Sequence, residues 1–159
     1  MTADSNRYLL GPGLLMGLCQ KAPHATSWGD SVPQRDCCVS ELSLALVRSL
    51  IDTGARTKRS EERWHTALNQ LVSKILLEGG VAVEVTKDIL DKWRHWRLQS
   101  PLEFVDPQGQ REEVEQDVRL LLATADALNL TYVDYASPYL GQAAEQGLKV
   151  IVIDAETAA

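Results

Sequence analysis

Three aspartates lie at positions where an α/β protein can form a ligand-binding site. Asp134 follows the apolar run Leu130–Val133, and Asp154 follows Val150–Ile153. Both runs are typical of strands, and in parallel sheets ligands bind beyond the carboxyl ends of the strands. Asp117 lies at the edge of the apolar stripe of the preceding helical segment. The sequence therefore predicts a carboxylate-lined site in the last third of the chain, although Asp154 is more typical of a turn residue.

Alternating helices and strands must position these carboxylates. The first helix of this region, predicted from Glu112, has apolar residues at a period near 3.6, and Asn129 can end it in a left-handed turn. Ser137 and Pro138 are typical of the start of a second helix, which Gly147 ends. A strand–helix–strand crossover of this kind is parallel and right-handed. The last third of the chain is thus predicted to add two parallel strands to a sheet.

The rest of the chain continues the same alternation. Earlier strands are predicted at Arg7–Leu10, Arg35–Val39 and Val81–Val85. The fold class is α/β, a three-layer sandwich with helices on both faces of a mostly parallel sheet of about five strands. One domain spanning residues 1–159 is the natural interpretation of this length, with residues 1–6 expected to be disordered.

The segments between these strands differ in character. A helix capped by Ser40 is apolar nearly all round and is expected to be largely buried, whereas a longer helix opening at Ser60 is amphipathic. Lys21–Pro33 is expected to be irregular or weakly helical. Gln99–Gln110, which contains two prolines and a glycine, is expected to be a mobile loop.

The composition excludes several classes of protein. A net charge of −6 and a pI near 5.0 argue against nucleic-acid binding through bulk positive charge. The three cysteines are an odd number, and the adjacent pair Cys37 and Cys38 is better explained as apolar strand residues than as a disulfide framework. No apolar run approaches the roughly 20 residues of a membrane span. A soluble, cytoplasmic protein is therefore expected.

Short motifs are spread over nearly the whole chain. Tyr8–Leu10 opens the first strand, and Ser40–Leu42 stands at a strand-to-helix step. Trp93–Arg97 lies late in the helix after the third strand, and Leu121–Ala125 precedes the strand Leu130–Val133. In this order and spacing the motifs resemble the PIN domain, a family of small metal-dependent ribonucleases that includes bacterial toxin–antitoxin nucleases.

The resemblance implies a cluster of carboxylates that binds Mg²⁺ or Mn²⁺, which take oxygen ligands and can activate water at a phosphate. Glu41 matches the second acidic position of the family, although it would equally suit the start of a helix. Asp117 approximates the third position one residue out of register, and Asp134 lies near the fourth, where Ala136 is better aligned. Gly11 stands where the first aspartate is expected. The catalytic and metal-binding residues are thus predicted to be Glu41, Asp117 and Asp134, with ion binding weak or absent if the site is vestigial.

Two groups of basic residues could hold nucleic-acid phosphates. One surrounds the start of the long amphipathic helix, and the other follows the outer face of the helix after the third strand. Each group alone is more typical of a solvated helix face, and both would have to border the carboxylate edge to bind RNA there. The residues predicted to bind nucleic acid are Arg56, Lys58, Arg59, Arg63, Arg94 and Arg97.

Three functions are compatible with these features. The favoured one is a PIN-like module of impaired catalytic activity that binds RNA or a protein partner such as an antitoxin-like peptide. The second is an Mg²⁺- or Mn²⁺-dependent endoribonuclease of the toxin type. The third is a homodimeric scaffolding protein without nuclease activity. Gly11 in place of an acid favours the first and third, whereas Glu41 favours the second.

Overall fold

The computed structural model describes residues 7–99, 103–105, 108, 111–113 and 116–156. The residues expected to be disordered, 1–6, lie outside this set, and the single-domain assignment stays a prediction. The strands are β1 (Tyr8–Leu10), β2 (Cys37–Ser40), β3 (Val81–Val83), β4 (Glu103–Val105), β5 (Arg111–Glu113), β6 (Thr131–Tyr135) and β7 (Val150–Ile153). The helices are α1 (Pro12–Cys19), α2 (Pro23–Ser31), α3 (Glu41–Gly54), α4 (Lys58–Leu77), α5 (Lys87–Gln99), α6 (Gln116–Ala127) and α7 (Pro138–Glu145).

Five of the strands form one parallel sheet in the order β3-β2-β1-β6-β7. Leu10 is in register with Val133, so Gly11 and Asp134 come next to each other where β1 and β6 end. Ser40, the last residue of β2, is in register with Val83 of β3. All the carboxyl ends therefore meet at one edge, and the predicted α/β fold with a parallel five-stranded sheet is confirmed.

The hydrophobic core lies on both faces of this sheet because successive strand residues point to opposite sides. Leu9 and Tyr132 pack with residues of α5, α6 and α7 on one face. Leu10 and Val133 pack with residues of α1, α2, α3 and α4 on the other. Cys38 lies on the first face and is buried, in line with its interpretation as an apolar strand residue.

Several local predictions differ from the structure. Residues 23–31, expected to be irregular or weakly helical, form helix α2, so the helical alternative holds; Pro23 lies in its first turn, where the missing N–H is tolerated. The expected loop after α5 contains strand β4, which pairs antiparallel with β5. Since β5 includes Glu112, the next helix starts at Gln116 and not at Glu112. Helix α4 begins before Ser60, because the Thr57 hydroxyl accepts a hydrogen bond from the Ser60 N–H at 3.1 Å.

Helix α3 and strand β7 are less buried than their composition predicts. The side chains of α3 that are buried are Ser43, Val47 and Ile51, whereas Leu50 is 52% exposed. In β7, Val152 is 48% exposed although the strand is apolar throughout. Strand β7 lies at the end of the sheet order, and α3 pairs along its length with α4, so each leaves one side uncovered.

Candidate functional site

Asp134 is a buried, hydrogen-bonded carboxylate at the carboxyl edge of the sheet. Its side chain is 7% exposed. Oδ1 accepts hydrogen bonds from the N–H groups of Leu14, at 2.9 Å, and Tyr135, at 2.8 Å. Oδ2 accepts a hydrogen bond from the Tyr132 hydroxyl at 3.1 Å. The carboxylate therefore fixes the first turn of α1 against the end of β6.

Gly11 and Gly13 leave the space that the Asp134 carboxylate fills. A Cβ atom on Gly11 would overlap Oδ2 of Asp134 and lie 2.6 Å from the Tyr132 hydroxyl. A Cβ atom on Gly13 would lie 2.6 Å from Oδ1. Gly11 has a φ of −72°, so its backbone does not require glycine. The space beside residue 11 is thus occupied by the carboxylate of Asp134, which belongs to the neighbouring strand β6.

Burial sets the protonation of this pair. The pKa of Asp134 is raised because desolvation outweighs the hydrogen bonds that favour its ionised form. The pKa of Tyr132 is raised well above its ordinary value by burial and then by the negative charge of Asp134. Tyr132 therefore remains a neutral hydrogen-bond donor to Asp134.

The other two predicted ligands lie apart from this centre. Glu41 is exposed at the first position of α3, directly after the Ser40 cap, whose hydroxyl accepts a hydrogen bond from the Leu42 N–H at 3.1 Å. Asp117 is half-buried in the first turn of α6, where Oδ1 accepts a hydrogen bond from the Val118 N–H at 2.7 Å. Both carboxylates stand at helix starts, where the helix dipole favours negative charge.

The predicted ligand set is incomplete in this geometry. Among the residues that the structure describes, Glu41, Asp117 and Asp134 do not bring their ligand atoms within 4.8 Å of one another. Both oxygens of Asp134 already accept hydrogen bonds, and Gly11 has no side chain that could supply a ligand atom. These residues do not fit a compact Mg²⁺ or Mn²⁺ centre, and their assignment as catalytic residues stays a prediction.

One group of possible metal ligands does occur in the described part of the chain, away from these carboxylates. Asp52, Glu61 and His65 bring one ligand atom each to within 4.8 Å of the others. They lie at the end of α3 and the start of α4. No local sequence pattern links these residues, because Asp52 is nine residues from Glu61 and only the packing of the two helices brings them together.

A second hydrogen-bonded carboxylate was also missed. Oε1 of Glu156 accepts a hydrogen bond from the His24 N–H at 2.9 Å, and Oε2 accepts one from the Tyr135 hydroxyl at 2.6 Å. Burial raises the pKa of Glu156, but these hydrogen bonds and that from the Ala25 N–H lower it overall. The pKa of His24 is raised, chiefly by the Asp154 carbonyl 3.0 Å from its Nδ1 atom. This network fixes the segment after β7 to the start of α2.

The predicted nucleic-acid-binding residues lie on two separate helices. Arg56, Lys58, Arg59 and Arg63 are exposed around the start of α4, and the Arg63 guanidinium stacks over the Trp64 ring at 4.8 Å. On α5, the exposed Arg94 lies 4.0 Å from Asp91, and Lys92 pairs with Asp126 of α6 at 3.1 Å. The side chain of Arg97 is outside the described residues. Phosphate binding by these residues stays a prediction.

The architecture is similar to that of several solved structures. FitAcB from Neisseria gonorrhoeae matches with a TM-score of 0.67 and 16% identity, over 91% of this chain and 96% of that chain. VapBC2 from Rickettsia felis, solved with a promoter DNA fragment, matches with a TM-score of 0.66 and 15% identity, over 92% and 98% of the two chains. The chain has a PIN-like fold. The resemblance expected from the sequence motifs is confirmed.

A further PIN-like neighbour is named for its activity. VapC20 from Mycobacterium tuberculosis, a Sarcin-Ricin loop cleaving toxin, matches with a TM-score of 0.59 and 12% identity, over 89% of this chain and 95% of that chain. At such identities the likeness concerns the fold. The sequence matches no protein-family model and no curated protein. Within the described residues, no helix combines the length and apolar character that a membrane span requires.

Proposed function

We propose that this chain is a PIN-like module of the toxin–antitoxin type that binds a protein partner and has an impaired nuclease centre. One observation carries the proposal: the Asp134 carboxylate fills the space that a side chain at Gly11 would need. The position where the resemblance expects an acidic ligand therefore has neither a carboxylate nor room for one.

The hydrogen bonds of Asp134 support the loss of metal binding. An ion bound at Oδ1 would displace the N–H group of Leu14 or Tyr135, and an ion bound at Oδ2 would share that oxygen with the Tyr132 hydroxyl. Buried donors that lose their acceptors cost about 1–3 kcal/mol each. The two remaining predicted ligands, Glu41 and Asp117, each stand at the start of a different helix. Divalent-ion binding at this edge would therefore oppose the native hydrogen bonding.

The neighbours support a protein partner. VapBC-5 from Mycobacterium tuberculosis is named as a member of a family of toxin–antitoxin systems, and a structure from Klebsiella pneumoniae is named as a toxin–antitoxin complex. FitAB and two VapBC proteins were solved with DNA. A module that keeps this fold while losing its acidic set can retain the binding surface, because partner binding does not require the metal centre. The expected partner is an antitoxin-like protein that docks as a folded or partly folded segment.

The alternative function is an Mg²⁺- or Mn²⁺-dependent endoribonuclease that acts at the carboxyl edge of the sheet. Glu41 is exposed at the carboxyl edge of the sheet, where it could contact a substrate, and one neighbour is a loop-cleaving toxin. The exposed basic residues around the start of α4 could bind RNA phosphates without cleavage.

The test combines a cleavage assay with a binding assay. Purified chain and its Glu41→Gln variant are incubated with structured and single-stranded RNA in Mn²⁺ or Mg²⁺. The proposal expects the same background rate from both proteins. Metal-dependent cleavage that Glu41→Gln abolishes would show an active nuclease and overturn the impaired centre.

The partner is tested by expressing the chain with the gene products encoded beside it. The proposal expects one of them to copurify at a fixed stoichiometry and to bind the isolated chain at submicromolar concentration. If none binds, and labelled RNA binds instead with an affinity lost on reversing the charges of Arg59 and Arg63, RNA is the partner and the protein-partner proposal fails. Lys149→Glu serves as a charge-reversal control at an exposed site.

A further inference from the structure

The α3–α4 hairpin brings a mixed set of metal-ligating groups together. Asp52 is in the last turns of α3, and Glu61 and His65 are one turn apart on α4. The two helices run antiparallel here, because Arg48 also donates a hydrogen bond to Asn69 at 2.7 Å, one turn further along. The cluster is therefore held between two paired helices.

The geometry of this cluster is close to that of a three-ligand site. His65 Nε2 lies 2.7 Å from Asp52 Oδ1, and Glu61 completes a set whose ligand atoms all lie within 4.8 Å of one another. Donor atoms around a tetrahedral Zn²⁺ ion are about 3.3 Å apart, given metal–ligand distances near 2.0–2.1 Å. The present distances, 2.7 Å between His65 and Asp52 and at most 4.8 Å within the set, lie on either side of that spacing.

The donor types select the ion. An imidazole nitrogen with two carboxylate oxygens suits Zn²⁺ and neighbouring transition metals, whereas Mg²⁺ takes oxygen ligands and retains its waters. Glu61 and His65 are separated by four residues on one helix face, and Asp52 comes from another helix. The two carboxylates repel each other when no cation lies between them.

We propose that Asp52, Glu61 and His65 bind a divalent transition-metal ion, with Zn²⁺ as the expected species and water in the remaining position. The ion links the end of α3 to the start of α4 and stabilises the hairpin. The site is separate from the carboxylates Glu41, Asp117 and Asp134, and the inference does not depend on the proposed function.

The test is calorimetric titration of the full chain with Zn²⁺ in a weakly coordinating buffer near pH 7.5. One ion is expected to bind. His65→Ala and Glu61→Gln should each lower the Zn²⁺ affinity by about tenfold or more, because removing a residue that only supports a metal ligand already lowers metal affinity by about that factor. Glu62→Gln is the matched control, because it changes the adjacent exposed acid in the same helical turn and should leave the affinity within about twofold.

Thermal unfolding with and without Zn²⁺ gives a second measurement. A ligand that binds the folded state raises the unfolding temperature, and His65→Ala should abolish this rise while its metal-free unfolding temperature shows that it folds. Absence of Zn²⁺ binding, or equal affinity of the wild type and His65→Ala, would overturn the proposal. A loss of affinity with Glu41→Gln in place of His65→Ala would assign the ion to the sheet edge and would likewise overturn it.

Discussion

The fit between Gly11 and Asp134 can be tested by a double-mutant cycle. Asp134→Ala removes the acceptor of three hydrogen bonds, donated by Leu14, Tyr135 and Tyr132. A hydrogen bond to a charged group contributes about 1.5–3 kcal/mol, but removing a buried carboxylate also removes its desolvation cost. These opposing effects predict a loss of about 3 kcal/mol in the free energy of unfolding.

Gly11→Ala probes the same contact from the other strand. The added methyl group overlaps Oδ2 of Asp134, and overpacking of this kind in a closed site costs about 1–3 kcal/mol. In the Asp134→Ala background the carboxylate is gone and the Tyr132 hydroxyl is the remaining obstacle. The second substitution should then cost less than half as much, so the two changes compensate by about 1–2 kcal/mol.

Urea unfolding followed by circular dichroism and tryptophan fluorescence measures all four proteins of the cycle. Gly141→Ala is the matched control, because it lies in α7 and a Cβ atom there meets no other atom within 4 Å. Gly141→Ala should leave the free energy of unfolding unchanged or raise it, and its effect should be additive with that of Asp134→Ala. If Gly11→Ala and Asp134→Ala also add to within about 0.5 kcal/mol, the two residues do not share one space and the reasoning is wrong.

Two further predictions concern stability and pH. Leu68→Ala should lower the free energy of unfolding, measured in urea, by about 2–5 kcal/mol because this α4 side chain is fully buried. Leu77→Ala, at a site that is 86% exposed, should change it by less than about 0.5 kcal/mol. Because the pKa of His24 is raised in the folded state, its stabilising contribution should be present below about pH 6.5 and disappear as the pH rises through the folded pKa. His24→Asn should remove that part of the pH dependence, and an NMR titration that finds the His24 pKa at or below its ordinary value would contradict the assignment.

The sequence predicts the sheet well because its signals are local. Asn129 ends α6 with a φ of 54°, and Gly147 follows α7 with a φ of 98°, as the turn residues predict. Alternation within β6 also places Tyr132 and Asp134 on one face of the strand. In contrast, the segment of α2 was expected to be irregular or weakly helical, although Pro23 lies in the first turn of a helix, where proline is tolerated.

The site is less predictable because it depends on contacts between distant segments. The missing acid at Gly11 is visible in the sequence, but the carboxylate that fills its space comes from residue 134, and no local pattern links the two. The hydrogen bonds that Glu156 accepts from the start of α2 join residues more than 130 positions apart in the sequence. The Asp52 and His65 contact depends on how α3 and α4 pack. Each of these requires the assembled fold.

Anomalous diffraction from crystals grown in Mn²⁺ would show whether the carboxyl edge of the sheet binds a divalent ion. We expect no manganese peak within coordination distance of Asp134 or Glu41, and an unchanged set of hydrogen bonds from Leu14 and Tyr135 to Asp134. A peak at the α3–α4 hairpin would be compatible with this result, because that cluster is separate. A manganese ion bound between Glu41 and Asp134, with the Leu14 hydrogen bond broken, would show that this edge is a metal centre and that the impaired centre proposed above is wrong.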